Sequence, residues 1–306
     1  MAEKIKIRTA PPLPFQGAKR CFARDFANVL NLFINRMGGG DGEGWTVIDA
    51  FGGSGLLARA AKDVCPRARV ICNDREGYSR RLAMIDETEQ IRAACEKIGE
   101  DAKLNRRDAI PRATTERMRA AIERLGDRFG RVDYASVNAW ITFSKKPPSS
   151  DRLKRFEYFM LPKQPLRAAN AKAWFDGLEL ESVDFEEAVK PFLGDRKAVF
   201  VFDPPYVASD QSQYTTGGAE PFTHWDFFRL AHFARPPFVL FSSERSGVPA
   251  FIDQAIELKY AGWEKFAVFG PGGSVKRMPR IEKTSQQAGG KGYRDFMYFN
   301  FGGDGE

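Results

Sequence analysis

The sequence predicts an α/β protein with a doubly wound sheet that carries an inserted, mainly helical subdomain. Three observations lead to this fold class. A strand, a glycine-rich turn and a helix follow one another from Trp45 to Asp63. Apolar runs typical of buried strands return after residue 198. Between them, residues 100–179 show no alternation of strand and helix. Ligands of such sheets bind beyond the carboxyl ends of the strands.

The first half of the chain supplies two predicted strands with their helices. Trp45 to Ala50 is the first strand, Phe51 to Gly55 its turn, and Leu56 to Asp63 the helix that follows. The second strand, Ala68 to Cys72, ends in the dipeptide Asn73-Asp74. Ser79 is expected to cap a helix that runs toward Gly99.

Residues 100–179 form the predicted insertion, and residues 1–99 and 180–306 form the main domain around it. Thr114 or Thr115 is expected to cap a helix there. The strands of the returning half are predicted at Val199–Phe202, Phe238–Ser242, Lys265–Phe269 and Phe296–Phe301.

Composition narrows the class of protein. The chain has 306 residues, of which 43% are hydrophobic, so it can bury a substantial core. No apolar run approaches the thickness of a bilayer, and the first residues carry no apolar signal segment, so we expect a cytoplasmic protein without a membrane partner. Four cysteines without Cys-x-x-Cys spacing and two histidines, which we take as structural, make a metal site unexpected.

Positive charge is concentrated in the predicted insertion. Residues 103–167 contain 16 Lys and Arg against 7 Asp and Glu, whereas the whole chain has a net charge of +7, so the remainder is slightly acidic. Such a segment suits a polyanion such as a nucleic acid. A solvated helical surface is the alternative, and basic patches also bind membranes and acidic proteins.

The segment Asp203-Pro204-Pro205-Tyr206 carries the most chemical information. It ends the apolar run Lys197 to Phe202, where two prolines stop the strand and stiffen its exit. Asp203 and the Pro204 carbonyl can accept both hydrogens of an exocyclic amino group, while Tyr206 can stack on a flat base. The alternative is a proline-rich turn with Tyr206 in the core.

The glycine turn and Asp74 are weaker signals. Glycines at positions 52, 53 and 55 permit a tight turn and a close approach of a ligand, but such turns also occur without one. Asp74 could accept hydrogen bonds from ribose hydroxyls or could cap a helix.

In their order along the chain, these segments resemble the Dam-type DNA N6-adenine methyltransferases, the alpha group of the D12 class. The likeness covers most of residues 11–75 and 180–301, and the insertion departs from it. The matching segments are Pro14 to Arg20, Asp49 to Gly55, Asn73-Asp74, Val183 to Phe185, Asp203 to Tyr206, the positions Tyr214, Phe222 and Leu230, and Arg294 to Phe301.

The resemblance implies a Rossmann-like sheet that uses S-adenosylmethionine as methyl donor, with S-adenosylhomocysteine as product. It assigns Phe15, Gly17 and Lys19 to the methionine part of the donor. It assigns the centre of the donor to Asp49, Phe51, Gly53 and Gly55, its ribose to Asp74, and its adenine to Asp184 and Phe185.

The resemblance also implies that Asp203, Pro204, Pro205 and Tyr206 hold the target amine. A base within a duplex must leave the stack to reach them, at a cost of a few kcal/mol. Stacking on Tyr206 can recover about 1–3 kcal/mol. Much of the acceleration should come from orientation and preorganised acceptors.

Double-stranded DNA is the expected partner, and the insertion is expected to recognise its target. The residues expected to contact phosphates are Lys145, Lys146, Arg152, Lys154, Arg155, Lys276, Arg277 and Arg280, the last three within a glycine-rich loop, residues 270–292. Residues 207–221 are expected to order over the DNA. Trp140, Phe143 and Tyr158 could insert into DNA, although core positions are the favoured interpretation.

Several alternatives remain open at this point. The departure at Ser136 to Ser144 leaves the target sequence undetermined. The acceptor could be an RNA adenine or the N4 amine of cytosine, although an aspartate at position 203 favours adenine. A relative that binds nucleic acid without catalysis is the third possibility. We expect a bacterial or phage-encoded protein.

Overall fold

A computed structural model describes residues 6–141, 153, 156–162, 165–166, 168–207, 220–257, 280–285 and 292–302. In this part of the chain, seven strands form one sheet in the order β3-β2-β1-β4-β5-β7-β6. The strands are β1 (Thr46–Asp49), β2 (Arg69–Asn73), β3 (Glu179–Glu181), β4 (Ala198–Phe202), β5 (Phe238–Ser243), β6 (Arg280–Ser285) and β7 (Tyr293–Asn300). The predicted doubly wound α/β sheet is confirmed.

The centre of the sheet contains the point at which the strand order reverses. Strands β1 to β5 are parallel, whereas β7 runs antiparallel to β5 and β6 antiparallel to β7. From β1 the chain continues to β2 on one side, while β4 pairs with β1 on the other, with Asp49 opposite Val201. Crevices at such a point are the usual ligand sites of these sheets. The glycine turn follows β1 and Asp203 follows β4, so both flank this point.

Two hydrophobic layers cover the sheet because side chains alternate along each buried strand. Val47, Val199 and Val201 point into one layer with α1 (Ala23–Arg36) and α2 (Leu56–Val64). Ile48, Phe200 and Phe202 point into the opposite layer. The helices on that side are α8 (Phe185–Val189), α9 (His224–Phe233) and α10 (Val248–Glu257).

The remaining α-helices of the described residues lie between β2 and β3, and two of them begin before residue 100, where the predicted insertion begins. They are α3 (Tyr78–Leu82), α4 (Ile85–Asp101), α5 (Arg112–Phe129), α6 (Tyr134–Ile141) and α7 (Ala168–Lys172). A separate hydrophobic cluster holds α4, α5 and α6 together. This cluster includes Ile91 and Cys95, upstream of residue 100, where the predicted insertion begins. The division into domains stays a prediction.

Three aromatic residues of the insertion were considered as DNA wedges. Trp140 is buried in the insertion's cluster, which confirms the favoured core interpretation for that residue. Tyr158 is exposed, with 39% of its surface accessible, so the core interpretation is wrong for that residue. Phe143 lies outside the described residues.

Two predicted helix caps are wrong. Ser79 lies inside α3, which begins after Gly77 (φ +72°), and a second helix, α4, follows it. The amides of Tyr78 and Ser79 donate to the carboxylate of Asp74 instead, at 2.7 Å each.

The other wrong prediction concerns α5. Thr114 and Thr115 lie within that helix, which begins after Pro111. Proline is favoured at helix starts because its missing N–H has no helical partner there.

The edge strands were not predicted. β3 consists of Glu179, Leu180 and Glu181, and β6 falls inside the predicted loop 270–292. Each edge strand pairs on one side only, so its sequence needs no continuous apolar pattern. The strand predicted at Lys265–Phe269 lies outside the described residues. No helix in the described ranges is both long and apolar enough to cross a bilayer.

Candidate active site

The turn after β1 brings its backbone to the carboxyl edge of the sheet. Gly53 and Gly55 adopt positive φ angles of +49° and +68°, which side chains with a Cβ rarely adopt. A Cβ on Gly53 would lie 2.8 Å from the ring of Phe15. Asp49, at the end of β1, is buried beneath the turn, and its Oδ2 accepts from the amide of Ala58 in α2 at 3.2 Å. Asp49 therefore orders the loop and does not form the cavity wall.

The segment after β4 faces this turn. Asp203, Pro204, Pro205 and Tyr206 line a cavity of about 430 Å³ together with the glycine turn. The Tyr206 ring therefore borders the cavity and does not lie wholly within the hydrophobic core. The sequence-based expectation that the two segments share one crevice is met by this geometry.

The third wall of the cavity comes from the segment 15–19. The hydroxyl of Tyr78 anchors that segment, because it accepts from the amide of Leu13 at 2.8 Å and donates to the Leu13 carbonyl at 3.0 Å. Arg81 Nη2 donates to the Pro14 carbonyl at 2.8 Å. Phe15, Gln16, Gly17, Ala18 and Lys19 consequently line the same cavity.

Lys19 reaches the acceptor carboxylate. Its Nζ lies 2.6 Å from Asp203 Oδ1 and donates to the Gly17 carbonyl at 2.9 Å. The ammonium also sits 5.1 Å from the centre of the Tyr206 ring. The resemblance assigned Lys19 to the methionine part of the donor, and the structure places its ammonium against Asp203 and Tyr206.

Burial is the largest influence on the pKa values of the ionisable side chains in and beneath this cavity. It raises the pKa of Asp203, and Lys19 opposes that rise. It raises the pKa of Asp49 to about 7, with repulsion from Asp203 as the second cause. It raises the pKa of Tyr206 well above its ordinary value, so this phenol stays neutral. The cavity therefore holds closely spaced carboxyl groups against one ammonium.

A second cavity, of about 720 Å³, adjoins the first and shares four wall residues with it: Phe51, Gly53, Glu76 and Pro205. Phe51 and Phe185 stack in its wall, with ring centres 5.3 Å apart and planes 24° apart. Asp184 also lines it, begins α8 by accepting from the Glu186 amide, and pairs with Arg229 at 3.3 Å. The two cavities form one elongated crevice.

The carboxylate at the junction of the two cavities is Glu76, which the sequence analysis did not single out. It opens onto both cavities. The protein atoms around it desolvate its carboxylate and, with repulsion from Asp74 and Asp203, raise its pKa to about 8. Asp74 itself is buried on the amides of α3 and lines neither cavity. The structure thus gives Asp74 the capping role.

Three further wall residues were missed because they carry no motif. Ser243 ends β5, Arg245 lies just after it, and Tyr293 begins β7. In the sequence they lie some 40 to 90 residues beyond Asp203. The general rule that ligands bind beyond the carboxyl ends of parallel strands is the signal that could have pointed to Ser243.

The residues expected to contact phosphates are mostly not described. Lys145, Lys146, Arg152, Lys154, Arg155, Lys276 and Arg277 lie outside the described residues, as do Tyr214 and most of the segment 207–221. Arg280 lies in β6, where it pairs with Glu282 at 2.7 Å and covers the ring of Phe296 at 5.0 Å. A phosphate contact by Arg280 stays a prediction.

Comparison with known proteins supplies one informative match. No family model matches the chain. A protein of Haemophilus influenzae that bears the name "Putative methyltransferase" is 32% identical to it over 304 residues. The match covers 98% of this chain and 95% of the relative, so it spans the sheet and the inserted helices alike.

Proposed function

This chain belongs to a methyltransferase family, and we propose that it moves a methyl group from S-adenosylmethionine to the N6 amino group of a flipped-out adenine in DNA. The observation that carries the proposal is the shared cavity at the reversal point of the sheet. There Asp203 to Tyr206 face the glycine turn after β1. An acceptor of amine hydrogens and a site suited to a methyl donor are therefore neighbours.

The crevice suits S-adenosylmethionine in shape and charge. The two joined cavities are elongated, as the donor is. The stacked pair Phe51 and Phe185 offers a flat apolar surface for a purine ring. Burial raises the pKa of Glu76 and Asp203, and a positively charged ligand beside them would favour their ionised forms. When bound, the donor supplies an electrophilic methyl group on a positively charged sulfur.

In the proposed arrangement, the segment 15–19 and the glycine turn hold the methionine part, and Asp184 and Phe185 hold the adenine. Glu76 replaces Asp74 as the partner of the ribose hydroxyls, because it opens onto the junction where the cavities meet. No residue in this arrangement is required to bind a metal ion.

Asp203 and Pro204 act on the acceptor. The lone pair of an aromatic amine is delocalised into its ring, which makes the amine a poor nucleophile. Hydrogen bonds from the amine to the Asp203 carboxylate and the Pro204 carbonyl favour a pyramidal nitrogen with its lone pair directed toward the donor. Both acceptors are fixed by the rigid proline pair before the reaction, and they stabilise the positive charge that develops on nitrogen.

Tyr206 and Lys19 position the base. The neutral phenol ring borders the cavity and can stack on a base that has left the helix. Lys19 occupies Oδ1 of Asp203, so the amine must use the other oxygen or displace the ammonium. The proton lost from nitrogen after transfer can leave to solvent or to Asp203.

A labelled-donor assay with three acceptors tests the proposal. Purified protein is incubated with duplex DNA, single-stranded DNA and RNA, and the products are digested to nucleosides and identified by mass spectrometry. We expect N6-methyldeoxyadenosine from duplex DNA. Detection of N4-methyldeoxycytidine or of a methylated ribonucleoside instead would show that the acceptor is cytosine or RNA. Donor binding without label in any nucleic acid would contradict the proposal and favour a catalytically silent relative.

A further inference from the structure

Three residues on the acceptor side of the cavity have no part in the transfer described above: Ser243, Arg245 and Tyr293. They meet because β5 and β7 are antiparallel neighbours, with Ser243 opposite Asp295. The end of β5 therefore lies beside the start of β7. Residues that share this wall with Asp203 and Tyr206 are placed to contact whatever is attached to the target base.

Arg245 is held in a defined position at the rim. It lies in a single 3-10 turn, Glu244–Ser246, in which the Arg245 amide donates to the side chain of Ser243 at 3.5 Å. Its guanidinium carbon is 4.1 Å from the centre of the Tyr293 ring. Ser243 is buried, whereas Arg245 is exposed. The guanidinium thus lies where the cavity opens to solvent.

The N–H donors along the edge of a guanidinium form a fork that matches a phosphate group. The tyrosine ring also limits the rotamers of the arginine, so less entropy is lost when an anion binds. A stacked arginine at a cavity rim is therefore well suited to a phosphate.

The charges deeper in the cavity indicate where such a phosphate can lie. Asp203 and Glu76 line the inner part of the cavity, where the Lys19 ammonium contacts Asp203. Burial raises the pKa of both carboxyl groups, which means that negative charge is disfavoured there, so a phosphate would stay at the rim. A base whose amine meets Asp203 carries its sugar and phosphates toward the opening, which is where Arg245 lies.

We propose, on the premise of the function proposed above, that Arg245 binds a phosphodiester adjacent to the flipped adenosine. This contact makes the site selective for a nucleotide within a polynucleotide chain. A free nucleoside or a protein amide could present an amine to Asp203 but would lack the group that Arg245 recognises.

Arg294 provides a matched control. It follows Tyr293 directly, but its guanidinium pairs with Glu244 at 3.0 Å and with Glu282 at 3.8 Å, and it does not line the cavity. An arginine that acts only through surface charge would behave like Arg294. One that contacts a phosphate would not.

The test uses oligonucleotide duplexes in which one phosphate beside the target adenosine is replaced by a neutral methylphosphonate. The target sequence is first read from the methylated adenines in the DNA of the expression host. For the wild-type enzyme, we expect kcat/KM to fall about tenfold or more with the neutral linkage at one of the two flanking positions. Loss at neither position would overturn the proposal, independently of any variant.

Variants then identify the partner of that phosphate. Arg245→Ala should lower kcat/KM on the unmodified duplex by a similar factor and should no longer respond to the neutral linkage. Arg294→Ala should respond like the wild type. Arg245→Lys keeps the charge but lacks the fork, so its kcat/KM should still fall with the neutral linkage, by less than that of the wild type. This variant provides the test if the alanine variant does not fold. An Arg245 variant that keeps the full wild-type response would overturn the proposal. An inactive wild-type enzyme would instead refute the proposed function.

Discussion

Lys19 controls the charge of the acceptor carboxylate. Its ammonium contacts Asp203 at 2.6 Å and lies over the ring of Tyr206, so one side chain joins the two groups that would receive the base. Burial raises the pKa of Asp203, and the attraction of Lys19 counteracts that effect. The ionised form of Asp203 is the form that accepts hydrogen bonds from an amine.

Replacing Lys19 with methionine should therefore shift the pH dependence of activity. Without the ammonium, the pKa of Asp203 rises further, and a larger fraction of the enzyme is protonated at a given acidic pH. We expect the acid limb of the kcat/KM profile to move to higher pH. Lys197→Met, at an exposed position far from the cavity, should leave the profile unchanged. Superimposable profiles for wild type and Lys19→Met would contradict this role.

Glu76 should affect the binding of the donor more than the transfer step. We expect Glu76→Gln to raise the Kd for S-adenosylmethionine about tenfold, because a charge-assisted hydrogen bond is lost, with a smaller change in kcat. Since the pKa of Glu76 is raised to about 8, wild-type affinity should increase between about pH 7 and 9, and the variant should lack this increase.

Calorimetric titration at several pH values measures both effects on Glu76. Glu187→Gln, which changes an exposed carboxylate of α8 away from the crevice, is the control. An unchanged Kd with a reduced kcat would place Glu76 in the transfer step and contradict a ribose contact.

The site could be predicted from the sequence only where it consists of contiguous motifs. Asp203 to Tyr206 and the turn after β1 were found because their composition is unusual over four or five adjacent residues. Glu76, Arg245 and Tyr293 have ordinary local sequences. Their position on the cavity wall depends on how α3, β5 and β7 pack, which no local pattern specifies.

The turn between β1 and α2 depends on its glycines for two separate reasons. Gly55 has a φ of +68°, and a Cβ there would lie 2.4 Å from the Phe175 ring. Gly130, at the end of α5, has the same φ of +68°, but a Cβ at that position would meet no atom within 4 Å. A comparison of substitutions at the two positions therefore distinguishes the cost of backbone strain from the cost of steric overlap.

We expect Gly130→Ala to cost about 1 kcal/mol of unfolding free energy, the usual cost of a left-handed alanine. Gly55→Ala should cost clearly more, because the ring of Phe175 or the turn must also move. Urea denaturation of both variants measures the difference. Equal losses would mean that the turn adapts without strain, and would contradict a rigid cradle.

At the level of secondary structure, the fully buried strands could be located from the sequence and the edge strands could not. The central strands β1, β4 and β5 are buried throughout and mainly apolar, and they were located within one or two residues. The edge strands β3 and β6 are polar and were missed. The helix starts at Ser79 and at Thr114 or Thr115 were wrong because Asp74 and Pro111 supply the start signals instead.

Across the molecule, the inserted helices are connected to the crevice by polar contacts. Arg81 donates to Asp133 at 3.0 Å as well as to the Pro14 carbonyl, so one side chain joins the insertion to the segment that bears Lys19. Trp174 Nε1 donates to the Ser54 carbonyl at 2.8 Å, beside the glycine turn. The insertion therefore supports two of the segments that line the crevice, although none of its described residues lines either cavity.

The stability of the whole molecule should depend on pH through Asp49. Its pKa is about 7 in the folded protein, against an ordinary value of 3.8. Between these values the folded state keeps a proton that the unfolded state loses, so stability falls as pH rises from about 4 to 7, by at most about 1.4 kcal/mol per pH unit. Denaturation across this range should show a shallower decrease for Asp49→Asn. An identical slope would contradict the burial of an uncompensated carboxylate.

The central claim is that Asp203 acts on the acceptor amine and does not merely support the fold. The most direct measurement compares single-turnover methyl transfer and S-adenosylmethionine affinity in Asp203→Ala and in Asp195→Ala, an exposed aspartate on the turn before β4. We expect Asp203→Ala to lose at least about a hundredfold in rate while its donor Kd stays near that of the wild type, and Asp195→Ala to change neither. Wild-type turnover in Asp203→Ala would contradict the claim.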